Sequence, residues 1–209
     1  MARGKTKTPQ HDPHDALIDA AMRLAARIRW QDIRMRDIAD EAGMPLAEAL
    51  QIFASRSALL SGMGAVINGA VLADLAADSE LGETVKDRLF DILMRRFDAM
   101  APYKPGLASL GAALSRDPCA LLCRMPEVHC AMALSLEAAD VSASGPWGRL
   151  RVHGLSAVYL NALRVWFRDD SPDMAKTMAA VDRGLTMADR VMAQCRRSDG
   201  PGENADTAV

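Results

Sequence analysis

The sequence predicts an all-α fold, on three observations. Apolar residues recur at three- and four-residue steps along most of the chain, runs of alternating β-branched residues are absent, and only 4% of the 209 residues are aromatic. With half its residues hydrophobic, the chain can bury one good core and a small second one. A net charge of −2 gives no affinity for polyanions over the whole surface. No basic-then-apolar leader opens the chain, and its longest apolar segments are interrupted by charge or glycine. Neither secretion nor a membrane span is therefore expected, and a cytoplasmic location follows.

Asp12-Pro13-His14-Asp15 reads as a helix opening. Asp12 caps, Pro13 takes the first helical position and Asp15 suits the positive helix end, which predicts a helix to about Arg29. Trp30 and Ile33 in the following loop are expected to seal a small core. Met35 to Leu60 then spells two short helices at a sharp turn and the start of a third. Ile38, Ala39 and Ala42 share one face, Gly43 supplies the backbone conformation needed just past a helix end, and Pro45 suits the first turn of the next helix. Leu46, Ala49, Leu50 and Phe53 give that second helix a stripe to bury. Ser55 can cap a longer third helix from Arg56 to about Ala77, with Leu59 and Leu60 opening its apolar face. This is a helix-turn-helix signature, and it predicts a first domain over residues 1–60.

Residues 61–195 are predicted to form a second helical domain, and the polar residues 196–209 a disordered tail. A turn over Asp78 to Gly82 precedes an amphipathic helix from Glu83 to about Met100, with Leu89, Phe90, Leu93, Phe97 and Met100 on one side. Pro102 and Pro105 break the chain and a helix follows to about Ser115. Another opens at Asp117-Pro118, with a kink expected at Pro126. That break could shape a cavity lined by Met94, Phe97, Met100, Leu107, Leu110, Leu122, Met125, Met132 and Leu136, a Met-rich apolar set suited to a flexible hydrophobic ligand; the alternative is a filled helical core. Helices over Trp147 to Asp169 and Ser171 to about Cys195 are joined by Asp169-Asp170-Ser171-Pro172-Asp173. Ser171 is expected to cap the second, with Pro172 at its first position. Such an antiparallel pair can meet its copy as a four-helix homodimer interface.

Cys119, Cys123, Cys130 and Cys195, with His129 beside Cys130, form no metal set, because no second Cys or His pair at ligand spacing completes a tetrahedral site. The cysteines are expected as small core hydrophobes. No Ser-His-Asp order, phosphate-binding glycine loop or paired carboxylates emerge either. The chain is expected to be no enzyme, with no catalytic residue, cofactor or metal.

The residues Asp37-Ile38-Ala39, Ala42-Gly43, Phe53, Ser55, Arg56 and Leu59 resemble the TetR family of bacterial transcriptional regulators. The resemblance implies a three-helix DNA-binding module followed by an all-helical ligand-binding and dimerisation domain, with duplex operator DNA and a small hydrophobic ligand as partners. Where the family usually carries Ser, a basic residue, Gly and Thr, however, this chain has Pro45, Leu46, Ala47 and Glu48. Arg56 stands at the family's basic position, which implies a phosphate contact. Gln51 could read an adenine edge or simply lie on a solvated face. Residues 1–60 carry nine Lys or Arg against eight Asp or Glu. The N-terminal Arg3, Lys5 and Lys7 could form an arm reaching DNA or an ordinary solubilising terminus. Arg34 and Arg36, flanking the start of the first short helix, complete the candidate DNA contacts.

A second resemblance lies in Arg96, Met100, Pro102-Tyr103, Ala157-Val158-Tyr159, Asp170-Ser171-Pro172-Asp173, Thr177 and Asp182-Arg183. These look like the lipid-binding accessory protein of coenzyme Q (ubiquinone) biosynthesis. That resemblance implies the same fold with an unused DNA-reading helix, an isoprenoid or phospholipid ligand, and a ubiquinone-biosynthesis hydroxylase as partner. The final residues lack that family's amphipathic membrane-docking helix.

Overall fold

The computed structural model describes residues 12–77 and 82–198, and among them every regular element is helical. In chain order these are α1 (Pro13–Ala25), a 3-10 turn (Trp30–Asp32), α2 (Met35–Ala42), α3 (Leu46–Ile52) and α4 (Arg56–Ala77). Then come α5 (Val85–Met100), a 3-10 turn (Ala101–Tyr103), α6 (Lys104–Leu114), α7 (Pro118–Ala138), α8 (Gly145–Trp166) and α9 (Ala175–Ser198). The chain packs as two compact units. One takes the residues through Gly69 together with Met100–Glu127, and the other takes Ala70–Ala99 and the residues from Val128 onward.

In the first unit, α1 opens as its sequence dictates. Asp12 Oδ1 accepts from the His14 amide at 3.0 Å, and Pro13 sits in the first turn. The helix ends at Ala25, four residues short of the expected Arg29. Leu17, Ile18, Ile33, Ile38 and Leu59 are buried almost completely, and Trp30 is also buried. α6 approaches α1 closely because position 106 has no side chain. A Cβ there would stand 2.6 Å from the Met22 carbonyl oxygen and 3.1 Å from its Cα. A polar clasp joins α4 to α7 within the same unit. Ser61 donates to Glu127 Oε1 at 3.0 Å, Arg124 pairs with Glu127 at 3.2 Å, and Arg124 Nη2 also donates to the Ser57 hydroxyl.

In the second unit the core is aromatic at its centre. Phe97 lies 5.7 Å from the rings of both Tyr159 and Trp166, and Ile92, Leu93, Met132 and Val181 are fully buried around it. Thr84 caps α5, its Oγ1 accepting from the Asp87 amide at 3.1 Å while Asp87 Oδ2 accepts from the Thr84 amide at 3.4 Å. α8 and α9 pack along each other, and Gly184 lets them meet: a Cβ at that position would fall 2.7 Å from Val158 Cγ1.

The structure corrects several local expectations. α9 begins at Ala175, so Pro172 does not occupy its first turn. Met174 adopts φ 51°, and the loop is organised by Asp169, which is almost wholly buried. Asp169 Oδ2 accepts from both the amide and the hydroxyl of Thr177 at 2.8 Å, and its Oδ1 accepts from the Ser171 amide at 3.2 Å and also from the Ser171 hydroxyl. Burial pushes this carboxyl up, yet the hydrogen bonds from Ser171 and Thr177 together outweigh it and hold Asp169 well below the usual carboxylate range. At the far end α9 runs to Ser198, through the first three residues of the expected tail. α7 carries Pro126 inside a single helix, where the proline removes one backbone donor. The missing Pro126 donor would have met the carbonyl of Leu122, a residue 68% exposed, where water can take the donor's place. Cys119, Cys123 and Cys130 are exposed, against the expectation that they fill the core. At 3.6 residues per turn the three fall within about 40° of one another, on the outward side of α7.

α4 and α7 are long and apolar enough by composition alone to cross a membrane. Each also carries residues that are buried in the fold, Ala131, Met132, Ser135 and Leu136 on α7 among them. Leu59, Met63, Ile67 and Val71 form a buried stripe at four-residue steps on α4, and Phe53 covers Gly62.

Candidate nucleic-acid interface and second-unit groove

The helix-turn-helix is built by a left-handed residue between two short helices. Gly43 has φ 71°, and the amide of Met44 reaches back to the carbonyl of Ala39 at 3.0 Å, closing the end of α2. At its other end α2 is held by Asp37, whose Oδ2 accepts from the Arg34 amide at 2.7 Å. Ala49 and Phe53 anchor α3 inward, while Ala47, Glu48, Leu50 and Gln51 are exposed. α3 therefore presents a small, outward surface with one carboxylate, one carboxamide and no cation.

The basic residues of this unit divide by what they touch. Arg23 and Arg27 both bind Glu41 Oε1, at 3.1 and 2.7 Å, and Arg29 binds Asp32 at 2.9 Å. The hydrogen bond from Arg23, with further help from Arg27, holds the Glu41 carboxyl below its ordinary range against burial, which pushes it up. Arg56 turns inward. Its Nη1 donates to the carbonyls of Trp30 and Ile33, each at 2.7 Å, and its guanidinium lies 5.7 Å over the Trp30 ring. That geometry commits Nη1 to the module's own backbone, a role not legible from its place in the motif. Arg34 and Arg36 are exposed and make no ion pair among the described residues. Arg3, Lys5 and Lys7 lie outside the described residues.

A cleft of about 330 Å³ lies between α1 and the start of α6, bordered by Asp19, Met22, Arg23, Pro102 and Tyr103. Burial first, and then the hydrogen bond with Asp19, pushes the Tyr103 phenol up to about 12. Tyr103 stays a neutral donor at any ordinary pH.

In the second unit a groove of about 760 Å³ runs beside α8 and α9, lined chiefly by Leu89, Leu136, Leu150, Val158, Met187 and Val191, with Lys86 and Arg151 among the polar residues. Met187 is 69% exposed, and Leu150 and Val191 are also open to water. Of the nine residues expected to line a ligand cavity, Leu136 borders this groove. Phe97 and Met132 are fully buried in the second unit's core and Met94 is half-buried there. Met100, Leu107, Leu110, Leu122 and Met125 belong to the first unit, where Leu122 is exposed.

Comparison with solved structures places this architecture. A TetR transcriptional regulator from Nitrosomonas europaea superposes with a TM-score of 0.68 over 86% of this chain and 99% of its own, at 25% identity. The fold is that of the TetR-type regulators. A second TetR regulator, from Rhodococcus sp. RHA1, matches with a TM-score of 0.58 over 84% of this chain and 94% of its own, at 15% identity. One from Streptomyces coelicolor covers 92% of this chain and 91% of its own, at 19% identity and a TM-score of 0.50. No protein-family model matches the sequence, and no curated protein matches it. The TetR-type α3 is the element that faces outward here, and α8 with α9 are the two long helices of the second unit.

Proposed function

We propose that the chain is a non-enzymatic TetR-type transcriptional regulator that binds duplex operator DNA as a homodimer under the control of a small hydrophobic ligand. The observation that carries this reading is the helix-turn-helix itself: a glycine-turned pair whose second helix is anchored by Ala49 and Phe53 and exposed at Ala47, Glu48, Leu50 and Gln51. On this reading Gln51 supplies a base-edge contact, and Arg34, Arg36 and the arm residues Arg3, Lys5 and Lys7 supply phosphate contacts. Arg56 adds to them only through what its backbone bonds leave over. The apolar groove beside α8 and α9 seats the second copy, since exposed Leu150, Met187 and Val191 form a patch that a two-fold partner can cover. The effector enters among the Met-rich apolar residues, where Met94 and Met132 can repack around it.

One observation favours a second reading. The exposed face of α3 lacks any cation, as in a helix no longer used to read DNA, which suits the lipid-binding accessory role that assists a ubiquinone-biosynthesis hydroxylase.

Fluorescence anisotropy of the full chain on duplex DNA flanking its own gene, titrated with salt and competed with unrelated DNA, separates the two. The regulator reading expects sequence-selective binding that weakens with salt. Removing residues 1–8 should flatten the salt slope by roughly 0.9 for each phosphate that the arm had neutralised, whereas Arg56→Lys should leave the slope unchanged. No selectivity at low salt, together with co-purified isoprenoid or phospholipid, would favour the accessory role.

A further inference from the structure

Two imidazoles meet on the surface of the second unit. His153 Nδ1 of α8 lies 3.2 Å from His129 Nε2 of α7, with the ring planes at 82° and the ring centroids 4.6 Å apart. One nitrogen donates and the other accepts, so a single shared proton sits between two lone-pair sites on different helices. His153 is exposed and His129 is half-buried, so the pair is open to solutes on one side.

We infer that His129 and His153 form a two-histidine chelate for a divalent transition ion, with zinc the best match. The nitrogen spacing decides the geometry. Two metal–nitrogen bonds of 2.0–2.1 Å at the tetrahedral angle place their nitrogens about 3.3–3.4 Å apart, and at a square-planar right angle about 2.9 Å. The observed 3.2 Å lies nearer the tetrahedral value. The ion sits beside the line joining the two nitrogens, so both lone pairs turn toward it and the hydrogen bond between the rings gives way. The donor ring must first move its hydrogen from the facing nitrogen to the far one, so that Nε2 of His153 and Nδ1 of His129 carry the hydrogens and both facing nitrogens offer lone pairs. With two protein ligands, two positions remain for water or an external donor, so the ion is exchangeable rather than structural. Among the described residues no third His, Cys, Asp or Glu joins the pair, which fits the same conclusion. Bound zinc would clamp α7 to α8 within this unit.

The site does not depend on DNA binding, and its test reads metal alone. Calorimetric titration of the metal-stripped full chain with zinc chloride should show one site per chain. His129→Gln and His153→Gln should each weaken it at least tenfold while the helical circular dichroism is retained. A Cys119→Ser/Cys123→Ser/Cys130→Ser variant should keep it. Cobalt(II) bound in place of zinc should show no thiolate-to-metal charge-transfer absorption. Unchanged affinity in both histidine variants, loss of the site with the cysteines, or no binding at millimolar zinc would each overturn the inference.

Discussion

Asp169 shows how a single buried carboxylate can organise a turn that the sequence assigns to its neighbours. Its two oxygens take up amide and hydroxyl donors from Ser171 and Thr177, so Asp169→Asn removes both the charge and half of the acceptor capacity. We expect a loss of about 1–3 kcal/mol in urea unfolding at neutral pH. The folded carboxyl titrates below the unfolded value near 4, so its stabilisation is fully present above about pH 4. It is lost as pH falls through the folded value, because protonation then removes the favoured anion. Stability measured from pH 6 down to pH 2 should therefore fall more steeply in the native chain than in the variant. A variant that loses stability in parallel with the native chain would show that other carboxylates dominate acid unfolding. The capping role was visible in the Asp-Asp-Ser-Pro-Asp run only as a set of cap-forming residue types. Which member was buried was decided by the packing of the loop, where Asp169 collects donors from both Ser171 and Thr177.

At the scale of elements, start signals written in short-range chemistry were readable. The caps at Asp12 and Ser55 satisfy amides two and three residues ahead, and Gly43 has the positive φ that its place after α2 requires. The end of α1 was less so, since it depends on what the helix packs against. The packing of α1 on α6 is the element-level feature most open to test. Gly106→Ala places a methyl group 2.6 Å from the Met22 carbonyl oxygen, and backbone on the facing helix cannot turn aside as a side chain can. We expect destabilisation of about 1–3 kcal/mol, read as a lower thermal midpoint. Gly64→Ala on α4 meets nothing within 4 Å and relieves the helix-propensity cost of glycine, so it should be neutral or stabilising by up to about 1 kcal/mol. Equal effects of the two substitutions would show that close approach at Gly106 carries no special cost.

For the whole molecule, the testable consequence is assembly. A second copy seated on the groove beside α8 and α9 would bury Met187, the most exposed of its apolar residues. Met187→Glu places a charge there. Sedimentation should show the native chain as a dimer and the variant shifted toward monomer, with its helical content unchanged. A dimer that survives Met187→Glu would place the interface elsewhere.

The sequence by itself determined the all-α class, the order of the helices and the helix-turn-helix, because apolar periodicity, caps and glycine turns act within a few residues. Tertiary structure alone decided that Arg56 braces the Trp30 turn, that the cysteines of α7 face outward and that His129 meets His153. Each of those joins groups far apart in the chain or depends on which face of a helix is covered. Such partners are selected by packing, and local spacing carries no record of them.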